Sequence, residues 1–332
     1  MKKSKNNNQK KYSIIIPCYN SFVKMTRCLR CLEEQTCKNF EVIIIDDCST
    51  DNTFSNLANY IQKSNLAFKL IKNDNNLGAG YSRNIGIEKS NGEYLLFLDS
   101  DDYIATDTIE IFENILNNDN SIDCILFDYI KYKNNVEQIF SILPNQNYEY
   151  IKTDISFKFV RGCTCGKVYK REIIIKNDIR FSSAVRNEDM PFTKVAISYC
   201  NRIYYYRTKP LYYYVMNASS LMHNKKLLDE NNAYNSFKIV EKCANKKYNS
   251  SLEIVFIKEC LYSMLQTMIL KGISKKNIKK ELSSISKKYT NWYNNKDIKH
   301  LDTGKRIVLF FYKKSMFFPI KLIFFIKEKI YD

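Results

Sequence analysis

Three carboxylates fall within four residues at Asp99-Ser100-Asp101-Asp102, directly after the apolar run 94–98. A run without polar interruption suits a strand buried on both faces of a parallel sheet. Such a strand delivers its last residues to the carboxyl edge, where open α/β sheets bind ligands. Carboxylates this close repel one another unless a cation or hydrogen-bond donors lie among them. Mg2+ and Mn2+ favour hard oxygen ligands of this kind and commonly share them with substrate phosphates. The plainer reading is a solvated turn with Asp at capping positions, and an isolated D-x-D supports no more. The wholly apolar strand feeding it, and two further acidic pairs, Asp46-Asp47 and Glu188-Asp189, favour chemistry.

The elements that must position these acids alternate. Residues 12–16 form a strand ended by Pro17-Cys18-Tyr19-Asn20, and apolar residues at near-helical spacing follow over 22–34. A second strand, 40–45, leads into Asp46-Asp47-Cys48-Ser49-Thr50-Asp51, whose side chains suit the cap of a helix at 53–62. A third strand at 68–71 and a polar turn at 73–76 precede Leu77-Gly78-Ala79-Gly80, which opens a helix to residue 89. The acid-bearing strand, a helix at 107–116 and a strand at 123–132 complete the series. This alternation predicts an α/β fold built on a doubly wound, mostly parallel sheet.

Beyond residue 144 the regularity fades. A strand is expected at 165–169, a helix at 189–199 opening on Asp189, and two tyrosine-rich strands at 202–206 and 211–215 paired across Thr208-Lys209-Pro210. Those tyrosines can stack on sugars, but their strand propensity makes packing the better reading. From residue 223 the pattern is helical, over 225–244, 252–271 and 275–288.

The 332 residues suit one large domain with an appendage or two modest ones, and a hydrophobic fraction of 45% allows a sizeable core. Net charge is +17, unevenly placed. Residues 1–220 carry 29 Lys and Arg against 25 Asp and Glu, while residues 221–332 carry 23 against 10. The basic excess therefore sits in the last third, which points to an anionic surface there. Residues 1–11 are polar and basic and 14–16 is too short for a signal peptide's apolar stretch, so a disordered start and a cytosolic setting are expected. Eleven cysteines, scattered, then fit reduced thiols. Cys28-x-x-Cys31 and Cys163-x-Cys165 each lack a second matching pair, so packing is preferred to zinc.

Taken in order, SIIIPCYN, EVIIIDDCSTDNT, NNLGAGYSRNIGI and GEYLLFLDSDD, then CGKVYKREII and RNEDMPF, closely resemble the family 2 glycosyltransferases of the GT-A fold. The resemblance covers about residues 12–220; the helical region 221–304 and the tail 305–332 lie outside it. It departs at Cys165, where the family often has an aromatic residue. The resemblance implies a metal-dependent, inverting transfer from a UDP-hexose or UDP-N-acetylhexosamine to a hydroxyl of a glycan or lipid-linked acceptor in cell-surface polysaccharide synthesis.

Position by position, it implies that Pro17, Tyr19, Asn20, Asp47, Arg83, Asp99 and Ser100 bind the donor, with Asp47 accepting from the uracil N–H. Asp101 is implied as the Mn2+ or Mg2+ ligand, with Asp99 as a second candidate and Asp102 in support. Asp189 is implied as the general base, with Glu188 as its rival, while Gly166, Lys167 and Glu188 face the acceptor. Arg83 has an equal alternative as a surface ion pair.

A dinucleotide-dependent oxidoreductase would carry G-x-G-x-x-G after its first strand, where this chain has Pro17-Cys18-Tyr19-Asn20. Nucleic-acid binding is set aside because the basic helices carry no recognisable binding motif. An inactive sugar-nucleotide-binding module in a polysaccharide-assembly complex remains the alternative, opposed by the intact acids. The tail 305–332 has apolar runs broken by Lys313, Lys314 and Lys321, short of the roughly 20 apolar residues of a spanning helix. Pro319 is expected to kink or divide it. Phenylalanines flanked by lysines suit a membrane interface, so a peripheral position on the cytoplasmic face of the membrane is expected. A core helix docked on the catalytic domain is the plainer alternative.

Overall fold

The structure, a computed structural model, describes residues 10–133, 136–144, 146–183, 187–216, 229 and 231–331. Strands β1 (Tyr12–Cys18) and β2 (Phe40–Asp46) are buried along their whole length. β3 (Ala67–Lys72) lies outside β2, and β4 (Tyr94–Phe97) pairs with the other side of β1. Helices α1 (Phe22–Glu33), α2 (Thr53–Ile61) and α3 (Ala79–Lys89) connect them. α1 turns Met25, Cys28, Leu29, Cys31 and Leu32 inward, and each large aliphatic side chain buried in this way contributes about 1.5–3 kcal/mol. All four strands run parallel, with Tyr12 opposite both Phe40 and Tyr94. That register brings Asp46 and the residues after Phe97 to one edge.

β1 continues through Pro17, beyond the expected end at residue 16. Its pairing with β4 finishes where the Leu98 N–H reaches the Ile15 carbonyl, so the missing proline N–H costs no bond on that side.

The acids lead into β5 (Tyr103–Ile104) and α4 (Thr108–Asn118). The strand expected at 123–132 is two strands in two sheets, β6 (Cys124–Phe127) and β7 (Tyr129–Lys133). They part at Asp128, whose carboxylate accepts from the Ile142 N–H and the Tyr205 hydroxyl. β8 (Val136–Phe140), β9 (Tyr150–Ile151), α5 (Thr153–Phe159), β10 (Lys167–Lys170), α6 (Arg171–Lys176) and α7 (Asp189–Tyr199) follow.

The tyrosine-rich strands β11 (Ile203–Tyr206) and β12 (Tyr212–Val215) do not pair with each other as expected. β11 lies parallel to β6, and β12 lies parallel to β7. The chain between them repeats the crossing made at Asp128, because the Leu211 N–H donates to the Asp128 carbonyl. The main sheet has the order β3-β2-β1-β4-β10-β6-β11-β9, and the second β5-β12-β7-β8. In the main sheet β10 and β9 are antiparallel to their neighbours.

The last third is helical: α8 (Asn232–Cys243), α9 (Leu252–Val255), a π-helical turn Phe256–Leu261, α10 (Tyr262–Leu270), α11 (Lys275–Ile285), α12 (Thr303–Lys313) and α13 (Phe317–Tyr331). These helices share one apolar core with the sheet. The expected helix over 225–244 starts at Asn232; residues 225–228 and 230 lie outside the described residues, as does the basic start except Lys10 and Lys11.

The tail breaks before Pro319, at Ser315 (φ 58°). Pro319 sits in the first turn of α13, where its lack of an N–H is harmless. No helix among the described residues is long and apolar enough to cross a membrane.

Candidate active site

Glycine at position 80 sets the approach of two distant segments. A Cβ there would lie 2.8 Å from the Ser182 carbonyl oxygen and 3.2 Å from Glu188 Cγ. The segment ahead of α7 therefore presses against the first turn of α3, and Arg83 comes within reach of the acids opening α7. Arg83 Nη1 donates to Glu188 Oε1 (2.9 Å) and Asp189 Oδ1 (3.1 Å), and its Nη2 donates to Asp99 Oδ1 (2.7 Å). The residue is only 4% exposed. Arg83 is thus a buried hub rather than a surface ion pair.

One cation among three carboxylates leaves the cluster short of positive charge. Burial works against the Arg83 charge, but Asp189, Asp99 and Glu188 outweigh it and raise its pKa. Burial pushes Asp189 upward, Arg83 opposes this, and Glu188 and Asp99 add to it, leaving the carboxyl at about 7. That is the range in which a carboxylate serves as a general base near neutral pH. Its second oxygen, Oδ2, accepts from the Thr164 N–H (3.3 Å) and hydroxyl (3.4 Å).

At the end of β4, Asp99, Ser100 and Asp101 are partly exposed, whereas Asp102 is buried. Asp102 accepts from the Tyr212 hydroxyl (2.6 Å) and the Val215 N–H (2.8 Å). Burial, with Asp99 and Asp101 adding, holds its carboxyl well above the usual range. The Tyr212 oxygen also accepts from the Asp99 N–H at 3.3 Å. One tyrosine therefore ties the acidic turn to β12.

Across the edge, buried Asp47 accepts from Asn73 Nδ2 (2.8 Å), the Leu77 N–H (3.1 Å) and the Gly78 N–H (2.7 Å). A carboxylate has about four acceptor positions, so the anion is held in place with room for one further donor. Asp46 instead accepts from Ser49 and caps its own turn. Asn20, in the left-handed region at φ 46°, clamps the loop after β1 to the loop after β2 through Thr50 and Asp51. Tyr19 is exposed beside it and Pro17 is part of β1.

Among the described residues no group of three His, Cys, Asp or Glu side chains is arranged to hold a metal. The donor set fits a hard divalent cation only in the manner usual for Mg2+, through one or two carboxylates completed by substrate phosphates. Asp101 is partly exposed after β4. Asp99 is engaged by Arg83, and Asp102 is turned into the fold.

The family model described as Glycosyl transferase family 2 matches residues 13–177. The chain belongs to the family 2 glycosyltransferases. It is 32% identical over 213 residues to the poly(ribitol-phosphate) beta-N-acetylglucosaminyltransferase TarS of Staphylococcus aureus, a match covering 60% of this chain and 36% of that protein. The chain thus spans little more than a third of that relative. The crystal structure of S. aureus TarS 1–349 in complex with UDP is similar at TM-score 0.57 and 25% identity, over 85% of this chain and 89% of that one. The mannosyltransferase PcManGT of Pyrobaculum calidifontis, in complex with GDP-Man and Mn2+, is similar at TM-score 0.54 and 15% identity, over 86% and 83%. That second likeness concerns the fold alone.

Within this family 2 glycosyltransferase the structure brings Arg83, Asp99, Glu188 and Asp189 together and ties Asp47 to the start of α3, the helix that carries Arg83. Gly166 has φ 73°, and a Cβ there would lie 2.5 Å from the Phe127 carbonyl oxygen, so glycine is required. Lys167 is fully buried, its Nζ donating to the carbonyls of Cys163 (2.6 Å) and Cys165 (3.0 Å). It shapes the loop rather than facing an acceptor. Thr164, Tyr212 and Asn73 escaped the sequence reading. Nothing local marks Thr164, and Tyr212 is masked by its tyrosine-rich neighbours. Asn73 sits in a turn recognised only as polar.

Proposed function

We propose that the chain moves a sugar from a UDP-sugar, a UDP-hexose or UDP-N-acetylhexosamine, to a hydroxyl of a glycan or lipid-linked acceptor in cell-surface polysaccharide synthesis. The observation that carries this is the Arg83 cluster, which holds a carboxylate of pKa about 7 at the carboxyl edge, beside the acids of β4. In this reading Asp189 takes the acceptor hydroxyl's proton as the oxygen attacks the anomeric carbon. A single base and one in-line displacement invert that centre. Arg83 orients Asp189 and Asp99 together, and Asp47 receives the base N–H. Asp101 would hold Mn2+ or Mg2+ together with the donor, and the ion would supply stabilisation of the charge growing on the leaving group. The UDP complex of the S. aureus relative and that relative's name as an N-acetylglucosaminyltransferase support the choice of donor. Measuring UDP release from a panel of UDP-sugars, with and without candidate acceptors, tests the reading. Donor binding without turnover under every condition would favour an inactive binding module.

Residues 12–220 form the catalytic unit in this reading, 221–304 a helical buttress, and 305–332 the contact to an anionic membrane surface. Both tail alternatives have physical support. Val308, Leu309, Phe317, Ile320 and Phe324 are buried against the protein, while Ile307, Phe310, Phe318, Leu322, Phe325 and Ile326 are exposed. Phe318 is 79% exposed, and Lys313, Lys314 and Lys321 are exposed nearby. Rings of this kind enter a headgroup layer, and each lysine near an anionic leaflet adds about 1 kcal/mol. Because deleting the tail would uncover its buried face, point changes are the cleaner test. Replacing Phe310, Phe318 and Phe325 with Ser should release the protein from phosphatidylserine vesicles while UDP release in solution persists. Undiminished sedimentation of the triple variant would contradict this.

A further inference from the structure

The loop that holds the base also carries two thiols in contact. Cys163 and Cys165 have their sulfurs 3.1 Å apart, with the Cys165 thiol donating to Cys163. Thr164, the residue between them, gives both its N–H and its hydroxyl to Asp189 Oδ2. The loop is pinned on both sides. A Cβ at Gly162 would lie 2.8 Å from Met190 Cγ, and Gly166 abuts the Phe127 carbonyl. Closing a ring between residues 163 and 165 therefore displaces Thr164 first.

We propose that Cys163 and Cys165 are a reversible oxidation site whose disulfide withdraws Thr164 from Asp189 and turns transfer off. This rests on the reading of Asp189 as the base. The two sulfurs are unequal in the way such chemistry requires. Cys163 is partly exposed and Cys165 is buried. The hydrogen bond from Cys165 lowers the Cys163 thiol to about 6 against the desolvation of its partly buried site, with Lys167 and Arg161 assisting. The Lys167 ammonium lies 3.7 Å from its sulfur. The pairing thus favours the thiolate form of Cys163, the reactive form. Cys28 and Cys31, the other closely spaced pair, are buried with both thiols pushed up.

The oxidant is a peroxide. The Cys163 thiolate attacks one oxygen of hydrogen peroxide, the O–O bond breaks, and a sulfenic acid forms as hydroxide leaves and is protonated to water. The Cys165 sulfur then attacks the Cys163 sulfur, and the S–O bond breaks. The departing hydroxide takes the Cys165 proton as a second water. Two thiols and one peroxide become one disulfide and two waters, with two electrons passing from sulfur to oxygen.

The test treats the full chain with hydrogen peroxide, blocks remaining thiols with iodoacetamide, and measures the mass of the peptide spanning 161–167. UDP release is followed in parallel on UDP-glucose and UDP-N-acetylglucosamine. The expected result is loss of two hydrogens from an unalkylated peptide. Activity should fall about 10-fold or more, since small displacements of catalytic groups cost up to ~10²-fold, and dithiothreitol should restore it. Cys163→Ser and Cys165→Ser should each remain active and resist peroxide. Alkylation at both cysteines after peroxide, a disulfide that leaves UDP release unchanged, or equal inactivation of the serine variants would each overturn the proposal. The peptide mass does not depend on the role of Asp189. A disulfide that silences the enzyme, alongside full turnover by reduced Asp189→Asn, would reject the base and keep the switch.

Discussion

Two buried charge clusters in this molecule are built in opposite senses. At the sheet edge one cation, Arg83, serves Asp99, Glu188 and Asp189. Between α5, α7 and the π-helical turn, one carboxylate, Glu259, serves two lysines, Lys258 at 2.6 Å and Lys194 at 3.5 Å. Those lysines also donate to the carbonyls of Phe157, Lys158, Phe159 and Val160 at the end of α5. The last carbonyls of a helix lack intrahelical partners and favour cations, so backbone takes up part of the surplus positive charge there. Burial would push Glu259 up, but Lys258 and Lys194 more than reverse it and hold it at about 2. The Arg83 cluster has no such surplus of partners, and Asp189 is left at about 7. In the cluster beside α5 the strain falls on a cation, since burial and then Lys258 push the Lys194 ammonium well below its usual range. In the Arg83 cluster, which in the proposed mechanism binds and moves a proton, it falls on a carboxylate.

The two clusters are expected to respond differently to substitution. The largest effect is expected beside the Arg83 cluster. Asp101→Ala should abolish transfer and weaken UDP-sugar binding measured in the presence of Mn2+, and wild-type turnover undiminished by a chelator would remove the metal from the account.

Next, Arg83→Gln leaves three acids without their cation. Losing one partner of a buried ion pair costs about 3–5 kcal/mol, read as a lowered denaturant midpoint. It should also raise the Asp189 pKa, because Arg83 lowers it. The ionised base then appears only at higher pH, so the rise of kcat/KM should move above pH 7. An unmoved profile would break the link between Arg83 and the base.

The smallest effect belongs to the other cluster. Lys258→Met removes one donor from carbonyls that Lys194 partly serves, costing about 1–3 kcal/mol with kcat unchanged. A large drop in kcat there would mean that the helical region does more than brace.

Much of the sheet was legible because its signal is local. The run at 94–98 and the helix at 189–199 are set by the neighbours of each residue, and both stand as read. The second sheet was not legible, since only pairing across long stretches of chain sends β7 and β12 away from β6 and β11. The same limit hid the hub. Arg83 meets partners 16, 105 and 106 positions away, and no spacing rule connects them. The acidic motifs announced that carboxylates would gather, while the fold decided which share a cation and which, like Asp102, turn inward.

In the proposed mechanism this charge shortage prepares Asp189 to accept a proton. Measuring turnover and UDP-sugar affinity side by side for Asp189→Asn tests it most directly. A fall in kcat of about 10²–10⁴-fold with donor affinity nearly unchanged is expected, because a base acts in the transition state. An equal loss of donor affinity, or unaltered turnover, would contradict it.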